Sequence, residues 1–284
     1  MNGEVHLIKL FRFLLLSATL LGAGGTHAQT DTATAENLLR KSGLWEQLGS
    51  IAPQVQAGFG AALSQGDSKP SAAEVERISR VIESAFSATR MRTVGIKVVA
   101  ARLNARNAAD LLRWYDAPVG RQIASLEAKA SEEGADPQAL MQQGLALLER
   151  SPPPRRQLLQ ALLVETRAAE ALTQVTINTS LAAHRGAASA LPNTLLLPEA
   201  ELRMQLEAQR PEMLKAFAAL ALASFAKAYA TLPTDHLGRY ADFIKSRAGQ
   251  DFNTIGIEAL DAALTEAAAE FGRQLQGAKD QSNT

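Results

Sequence analysis

Apolar residues recur every three to four positions along most of the chain after residue 30, which is the period of an amphipathic helix. One such stripe follows Ser71 and consists of Val75, Ile78, Ile82 and Phe86. Ser71 and Glu74 also have the spacing of a capping box, in which each side chain accepts a hydrogen bond from the other residue's backbone amide. The pattern predicts a helix that begins just after Ser71.

Two further segments bear on the helical assignment. Residues 199–232 carry apolar side chains on several faces, which predicts one long, largely buried segment, and its lysines make it a poor membrane span. Residues 173–179 alternate polar and apolar like a strand. Their helical flanks favour a continuous helix, because an isolated strand would leave its backbone groups unpaired.

Proline and glycine divide the chain. Three successive prolines at 152–154 cannot lie inside a helix, because each lacks an amide hydrogen and forces its predecessor toward extended geometry. Ser151 is placed to cap the helix that follows. Residues 186–198 form a second irregular stretch, and Leu195, Leu196 and Leu197 within it either pack against the body or form a contact surface. Packing is the simpler interpretation.

The same apolar template occurs twice, once around Gly120 and once around Gly249. The matched pairs are Leu103 with Leu232, Leu111 with Tyr240, Trp114 with Phe243, Tyr115 with Ile244, and Ile123 with Phe252. We interpret the match as an internal duplication. It predicts an all-α fold of two related multi-helix halves, at residues 31–150 and 155–278, packed around a pseudo-twofold axis. The alternative is chance similarity between two amphipathic hairpins in an alanine-rich chain.

The first copy has the features of a tight corner between two helices. Residues 105–116 predict an amphipathic helix, and Pro118 both ends it and suits the first turn of the next helix. Gly120 falls in that first turn, where glycine is costly unless two backbones approach closely. We expect an aromatic ring from Trp114 or Tyr115 to pack over it.

The second copy makes the corner differently. Ser246 stands where the first copy has Ala117 and is a good capping residue, while Arg247 replaces the proline. Phe243 takes the place of the tryptophan, and Gly249 keeps the glycine. Each copy retains one half of the helix-start signal, which fits duplication followed by drift.

The first corner also carries a family resemblance. Its matching residues are Leu111, Trp114, Tyr115, Pro118, Gly120 and Arg121. This run resembles the domain of unknown function 2059 family of exported bacterial helical proteins, and the arginine-then-leucine segment at 155–166 is similar to a recurring helix of that family. Ala117 departs from members that have serine or threonine before the proline. Since the family has no settled activity, the resemblance implies export and a helical fold, and nothing about chemistry.

The N-terminus has the pattern of a secretory signal peptide. A basic start with Lys9 and Arg12 precedes an apolar run at 13–21 and small residues at 22–25, and Thr26 and Ala28 are small at the two positions that matter for cleavage. We expect residues 1–28 to be a signal peptide removed before Gln29, so that the protein is periplasmic or secreted and has no membrane span after cleavage. The alternative is an uncleaved anchor, for which the apolar run is short.

Composition narrows the chemistry. The chain has no cysteine, which excludes disulfides, a lipid-attachment cysteine and thiol catalysis. Removal of residues 1–28 leaves 27 basic against 28 acidic residues, so no basic excess indicates nucleic acid. His184 and His236 are the histidines beyond residue 28, too few for a usual zinc site. No nucleophile elbow, phosphate loop or dinucleotide fingerprint is present.

We therefore predict no catalytic, cofactor-binding or metal-binding residues. Several carboxylates could converge in the fold, but charged residues on alanine-rich helices usually form a solvated face; these are Glu132, Glu133, Asp136, Glu199, Glu201, Asp242, Asp251 and Glu258. The sequence favours a non-enzymatic protein that binds a partner protein or an apolar ligand in the bacterial envelope. The alternatives are a carboxylate-dependent envelope hydrolase acting on glycan or peptide, and an assembly role for the leucine triplet at 195–197.

Overall fold

A computed structural model describes residues 29–65, 71–132, 137–188 and 197–280. Throughout these ranges the chain is helical, which confirms the predicted all-α class, and β structure there is confined to one isolated bridge between Gln29 and Asn104. The helices are α1 Thr32–Lys41, α2 Leu44–Gly49, α3 Ile51–Gln65, α4 Ala72–Ala85, α5 Ala88–Arg102, α6 Ala105–Asp116, α7 Pro118–Glu132, α8 Pro137–Arg150, α9 Pro153–Thr166, α10 Ala168–Ala188, α11 Glu199–Ala208, α12 Arg210–Ala228, α13 Thr234–Lys245 and α14 Arg247–Asp280.

Two local predictions are confirmed. The capping box begins α4: the Glu74 amide donates to Ser71 Oγ at 3.3 Å, and the Ser71 amide donates to Glu74 Oε2 at 2.9 Å. Residues 173–179 lie inside α10. There the Thr173 hydroxyl donates to the Ala169 carbonyl one turn earlier at 2.8 Å, so a polar residue in the alternating stretch is satisfied within the helix.

Two other predictions are wrong. The segment 199–232 is not continuous, because α11 ends at Ala208 and α12 begins at Arg210 with Pro211 in its first turn, where a missing amide hydrogen does no harm. Ser151 does not cap α9, whose N-cap is Pro152 without a side-chain hydrogen bond. The Ser151 hydroxyl instead donates back to the Leu147 carbonyl at 2.8 Å and closes the end of α8.

The buried apolar residues form two principal clusters. The larger one joins α1, α5, α10 and α14 around side chains such as Leu38, Met91 and Phe252. The second joins α7, α9, α12 and α13 around Ile123 and Phe225. The two clusters share the partly buried rings of Trp114 and Phe243, so the predicted corner residues lie between them.

Helices α8 and α12 meet closely at Gly144. A Cβ atom on Gly144 would lie 2.6 Å from the Ala223 carbonyl carbon and 2.7 Å from its Cα atom, so the two backbones are in contact. Within the described ranges, no helix combines the length and apolar character needed to cross a membrane.

Candidate functional site: two helical corners and a buried carboxylate

The first corner joins α6 to α7. Ala117 lies between the helices with φ −72° and ψ 150°, the extended geometry that a following proline favours. A Cβ atom on Gly120 would lie 2.8 Å from the Trp114 carbonyl carbon and still closer to its oxygen. The predicted close approach is therefore present. Gly120, however, approaches the backbone of Trp114 and Tyr115. The predicted neighbour was an aromatic ring of one of these residues.

The second corner joins α13 to α14 with the same construction. Ser246 has φ −65° and ψ 156°, and its hydroxyl accepts from the Gly249 amide at 3.1 Å. A Cβ atom on Gly249 would lie 3.0 Å from Ile244 Cα and closer to the Phe243 carbonyl oxygen. In each corner the glycine meets the carbonyl group of the equivalent preceding residue, Trp114 in the first and Phe243 in the second. The two glycines thus have like surroundings.

The Ser246 cap gives a modest, testable effect. We expect Ser246→Ala to lower the free energy of unfolding by about 1 kcal/mol, because the Gly249 amide loses its acceptor. Urea unfolding measures the change. Ser87→Ala is the matched control, since Ser87 is the N-cap of α5 and makes no side-chain capping bond. Equal losses in the two variants would show that the hydroxyl of Ser246 has no capping role.

The two corners meet through their aromatic side chains. The rings of Trp114 and Phe243 stack with centroids 4.3 Å apart and planes 5° from parallel. Tyr115 directs its edge at Phe243, with centroids 6.0 Å apart, and at Phe252, with centroids 6.2 Å apart. Stacked and edge-on pairs of this kind add about 0.5–1.5 kcal/mol each beyond burial. Trp114, Tyr115 and Phe243 therefore belong to one cluster.

Two polar pairs link the α6–α7 hairpin to the α13–α14 hairpin. The Asn107 side-chain amide on α6 donates to the Asp251 carboxylate on α14. His236 Nδ1 on α13 lies 2.8 Å from Gln122 Oε1 on α7 and donates to it when that nitrogen carries the proton. His236 follows Asn107 by the same interval that separates Gly249 from Gly120, and Asp251 follows Gln122 by that interval too. The second pair thus consists of the positions equivalent to the first.

Beside the stacked rings lies a carboxyl group that the sequence analysis missed. Glu127 Oε1 on α7 accepts from the Tyr229 hydroxyl at 2.6 Å and from the Tyr240 hydroxyl at 2.8 Å. Burial raises the pKa of the Glu127 carboxyl, and the two hydrogen bonds only partly oppose that rise. Burial, together with the neighbouring Glu127 charge, also raises the pKa of both tyrosine hydroxyls. The tyrosines therefore act as neutral donors.

A sequence signal for Glu127 exists. Val119 and Ile123 are buried and precede it at steps of four, so Glu127 continues the core-facing stripe of α7. A carboxylate in such a stripe needs hydrogen-bond donors to offset its burial. The distant tyrosines that supply them cannot be read from local periodicity.

Arg155 is a second buried polar residue next to this cluster. One Nη atom donates to the Leu232 carbonyl at 2.8 Å, and the other donates to the Tyr229 carbonyl. These carbonyls lie at the end of α12 and just beyond it, and the Tyr229 carbonyl also accepts from the Leu232 amide at 2.9 Å. The guanidinium therefore closes the C-terminal end of α12 and holds the backbone from which the Tyr229 hydroxyl reaches Glu127.

Two further carboxylate candidates form ion pairs apart from this cluster. Glu199 pairs with Arg185 at 2.6 Å, and Glu258 pairs with Arg102 at 2.8 Å. Glu133, Asp136, Leu195 and Leu196 lie outside the described residues, whereas Leu197 is 47% exposed. His184 Nε2 lies 2.8 Å from the Leu197 carbonyl oxygen. Among the residues that the structure describes, no group of three or more histidines, cysteines or carboxylates is arranged to hold a metal.

Comparison with known proteins finds no match. No protein-family model, no curated protein and no solved structure matches this chain. The resemblance to the domain of unknown function 2059 family therefore stays a prediction that depends mainly on the residues of the first corner. Proposals about function depend on the geometry of the site.

Proposed function

We propose that the chain is an exported, non-enzymatic helical protein that binds a partner protein or an apolar ligand in the bacterial envelope. The main support is the way the site uses its carboxylate. The Glu127 carboxylate already accepts bonds from two tyrosine hydroxyls of the protein itself through Oε1. A hydrolase of the alternative type needs a pair of carboxyls that flank the substrate.

We also propose that the protein consists of two related halves about a pseudo-twofold axis. Around a twofold, residue i of one half contacts residue j of the other, and the equivalents of both make the same contact. The pairs Asn107–Asp251 and Gln122–His236 follow this rule. The stacked rings of Trp114 and Phe243 are equivalent positions in contact with each other, as expected close to such an axis.

The helix order supports the same correspondence beyond the corners. Helices α7 and α8 together span 118–150, and the offset from Gly120 to Gly249 moves these limits to 247–279, which nearly coincide with those of α14. The same shift moves α5 onto the later part of α12 and the turn after it. Helix α8 packs extensively against α12, and α14 packs extensively against α5, so equivalent pairs of helices are in contact.

Export is part of the proposal. The described chain is anchored from its first residues: the Thr30 amide donates to the Leu103 carbonyl at 3.0 Å, and the Gln29 side chain donates to the Ala101 carbonyl at 3.1 Å. We expect protein from the periplasm or medium of its own host to begin at Gln29, as measured by intact mass. Recovery of the uncleaved chain from the membrane fraction would favour the anchor.

Native mass spectrometry of the protein purified from its own envelope tests the binding function. We expect a lipid-like molecule or a partner protein to be retained and then released on denaturation. A protein that retains only buffer components would contradict the proposal. Hydrolysis of envelope glycan or peptide that is lost in Glu127→Gln would favour the enzyme instead.

A further inference from the structure

The Glu127 carboxyl joins helices that are distant in sequence. It belongs to α7, whereas its two donors lie just after α12 and on α13, 102 and 113 residues further along the chain. Tyr229 is fully buried and Tyr240 is 6% exposed, so both bonds lie inside the second apolar cluster. Glu127 keeps some solvent exposure as a residue. A small opening between α7 and α13 would therefore give its carboxyl access to water.

The fold does not require a carboxylate at this place. Under the correspondence proposed above, Glu127 is equivalent to Gly256, Tyr240 to Leu111, and Tyr229 to Ala100. The equivalent site is apolar: Leu111 is fully buried, and a Cβ atom on Gly256 would be 3.3 Å from a methyl group of Leu44. In that half the three equivalent positions carry no polar side chain. The polar cluster in the other half thus has a role beyond forming the corner.

The surroundings of Glu127 determine how it titrates. The tyrosine hydroxyls of Tyr115, Tyr229 and Tyr240 interact with its charge. The other charged side chains of α7 and of the helices packed against it include Arg121 and Lys129 on α7, Glu46 on α2, Asp110, Arg113 and Asp116 on α6, Lys227 on α12, and His236, Arg239 and Asp242 on α13. Burial is the largest influence on the pKa of Glu127 and raises it above its ordinary value of 4.5.

We propose that Glu127 is a proton-binding site that links pH to the contact between α7 and the α12–α13 pair. The protonated carboxyl still accepts from the tyrosines and carries no charge that must be buried, so the contact between α7 and the α12–α13 pair stays closed. The ionised carboxylate is stabilised by reaching water, so this contact loosens. The protein thereby responds to the acidity of its compartment through a single side chain.

The sign of the effect follows from proton linkage. Between pH 4.5 and the raised pKa of Glu127, the folded protein keeps a proton on this carboxyl that the unfolded chain has lost. Stability therefore falls as pH rises through that window and levels off above the raised pKa. One such proton makes the unfolding equilibrium constant rise about tenfold per pH unit at most.

Urea unfolding of the full chain between pH 4.5 and 9 tests the proposal without any ligand or partner, so its outcome is independent of the binding experiment. We expect Glu127→Gln, which keeps an acceptor oxygen but cannot ionise, to remove a steep part of the pH dependence. Asp261, whose pKa burial also raises, contributes with the same sign. The informative quantity is therefore the difference between wild type and variant. Glu83→Gln, at an exposed position of α4, is the matched control.

A second variant keeps the test decisive if Glu127→Gln folds poorly. Tyr240→Phe removes one donor to the carboxylate, so the pKa of Glu127 rises further and the falling part of the stability curve extends to higher pH. The proposal is overturned if Glu127→Gln has the same pH dependence as wild type and Glu83→Gln. It is equally overturned if Tyr240→Phe leaves unchanged the pH range over which the stability falls.

Discussion

Replacing either corner glycine by alanine should destabilise the protein by about 3 kcal/mol. The added methyl at Gly120 would lie 2.8 Å from the Trp114 carbonyl carbon, and at Gly249 it would lie 3.0 Å from Ile244 Cα. Both obstacles are backbone, so no side-chain rotation relieves them. The helix that begins at the corner must move, and the Trp114–Phe243 stack moves with it. The gain of about 1 kcal/mol in helix propensity from glycine to alanine offsets only part of this cost.

Gly238→Ala is the control for both corner variants. Gly238 lies inside α13, and a Cβ atom there meets nothing within 4 Å. We expect this substitution to stabilise the protein by up to about 1 kcal/mol. We expect denaturant unfolding to show a loss of stability in both corner variants and a gain in Gly238→Ala. If all three alanines stabilise the protein alike, the close approach at the corners is not present in solution.

The second large effect is expected at Arg155. Arg155→Met should lower the free energy of unfolding by about 3 kcal/mol, because the Leu232 carbonyl loses its guanidinium donor in a buried position and the Tyr229 carbonyl loses one of its two donors. Arg155→Lys should recover part of the loss, since an ammonium also donates but lacks the planar fork that reaches both carbonyls at once.

Arg106→Met is the matched control, because Arg106 is exposed on α6. The Arg155 variant should also weaken the Glu127 site, since the backbone of Tyr229 is what the guanidinium holds. Thermal or urea unfolding measures the stability change, and near-ultraviolet circular dichroism follows the tyrosines. Losses of the same small size at Arg155 and Arg106 would mean that the guanidinium does not close the end of α12.

Local patterns predict much of this fold because their causes are local. The capping box at Ser71, the extended residue before Pro118 and the glycine at position 120 each involve groups only a few residues apart. The helix over 173–179 follows from its flanks, and the Thr173 hydroxyl bonds one turn back within it. In these places the two interacting groups lie within a few residues of each other along the chain.

The site itself depends on partners far apart in sequence. Glu127 continues the core-facing stripe of α7, but its donors Tyr229 and Tyr240 come from a distant part of the chain and cannot be read from that stripe. Arg155 similarly finds its acceptors far along the chain, at the end of α12 and just beyond it. The exact ends of helices are hard to predict for another reason, because a proline or serine fits more than one position there. The helix break at Gln209 and the hydrogen bond from the Ser151 hydroxyl back to α8 are examples.

The proposed pseudo-twofold arrangement requires that the two equivalent corners pack face to face through equivalent residues. Because the chain has no cysteine, cysteine pairs can be introduced at Asn107 with Asp251 and at Gln122 with His236 without background thiols. Treatment with a short bis-maleimide, followed by intact-mass and peptide analysis, reports on both contacts, and the four single-cysteine variants are controls. The account predicts an intramolecular cross-link in both double variants. A cross-link in one pair and its absence in the other would contradict it.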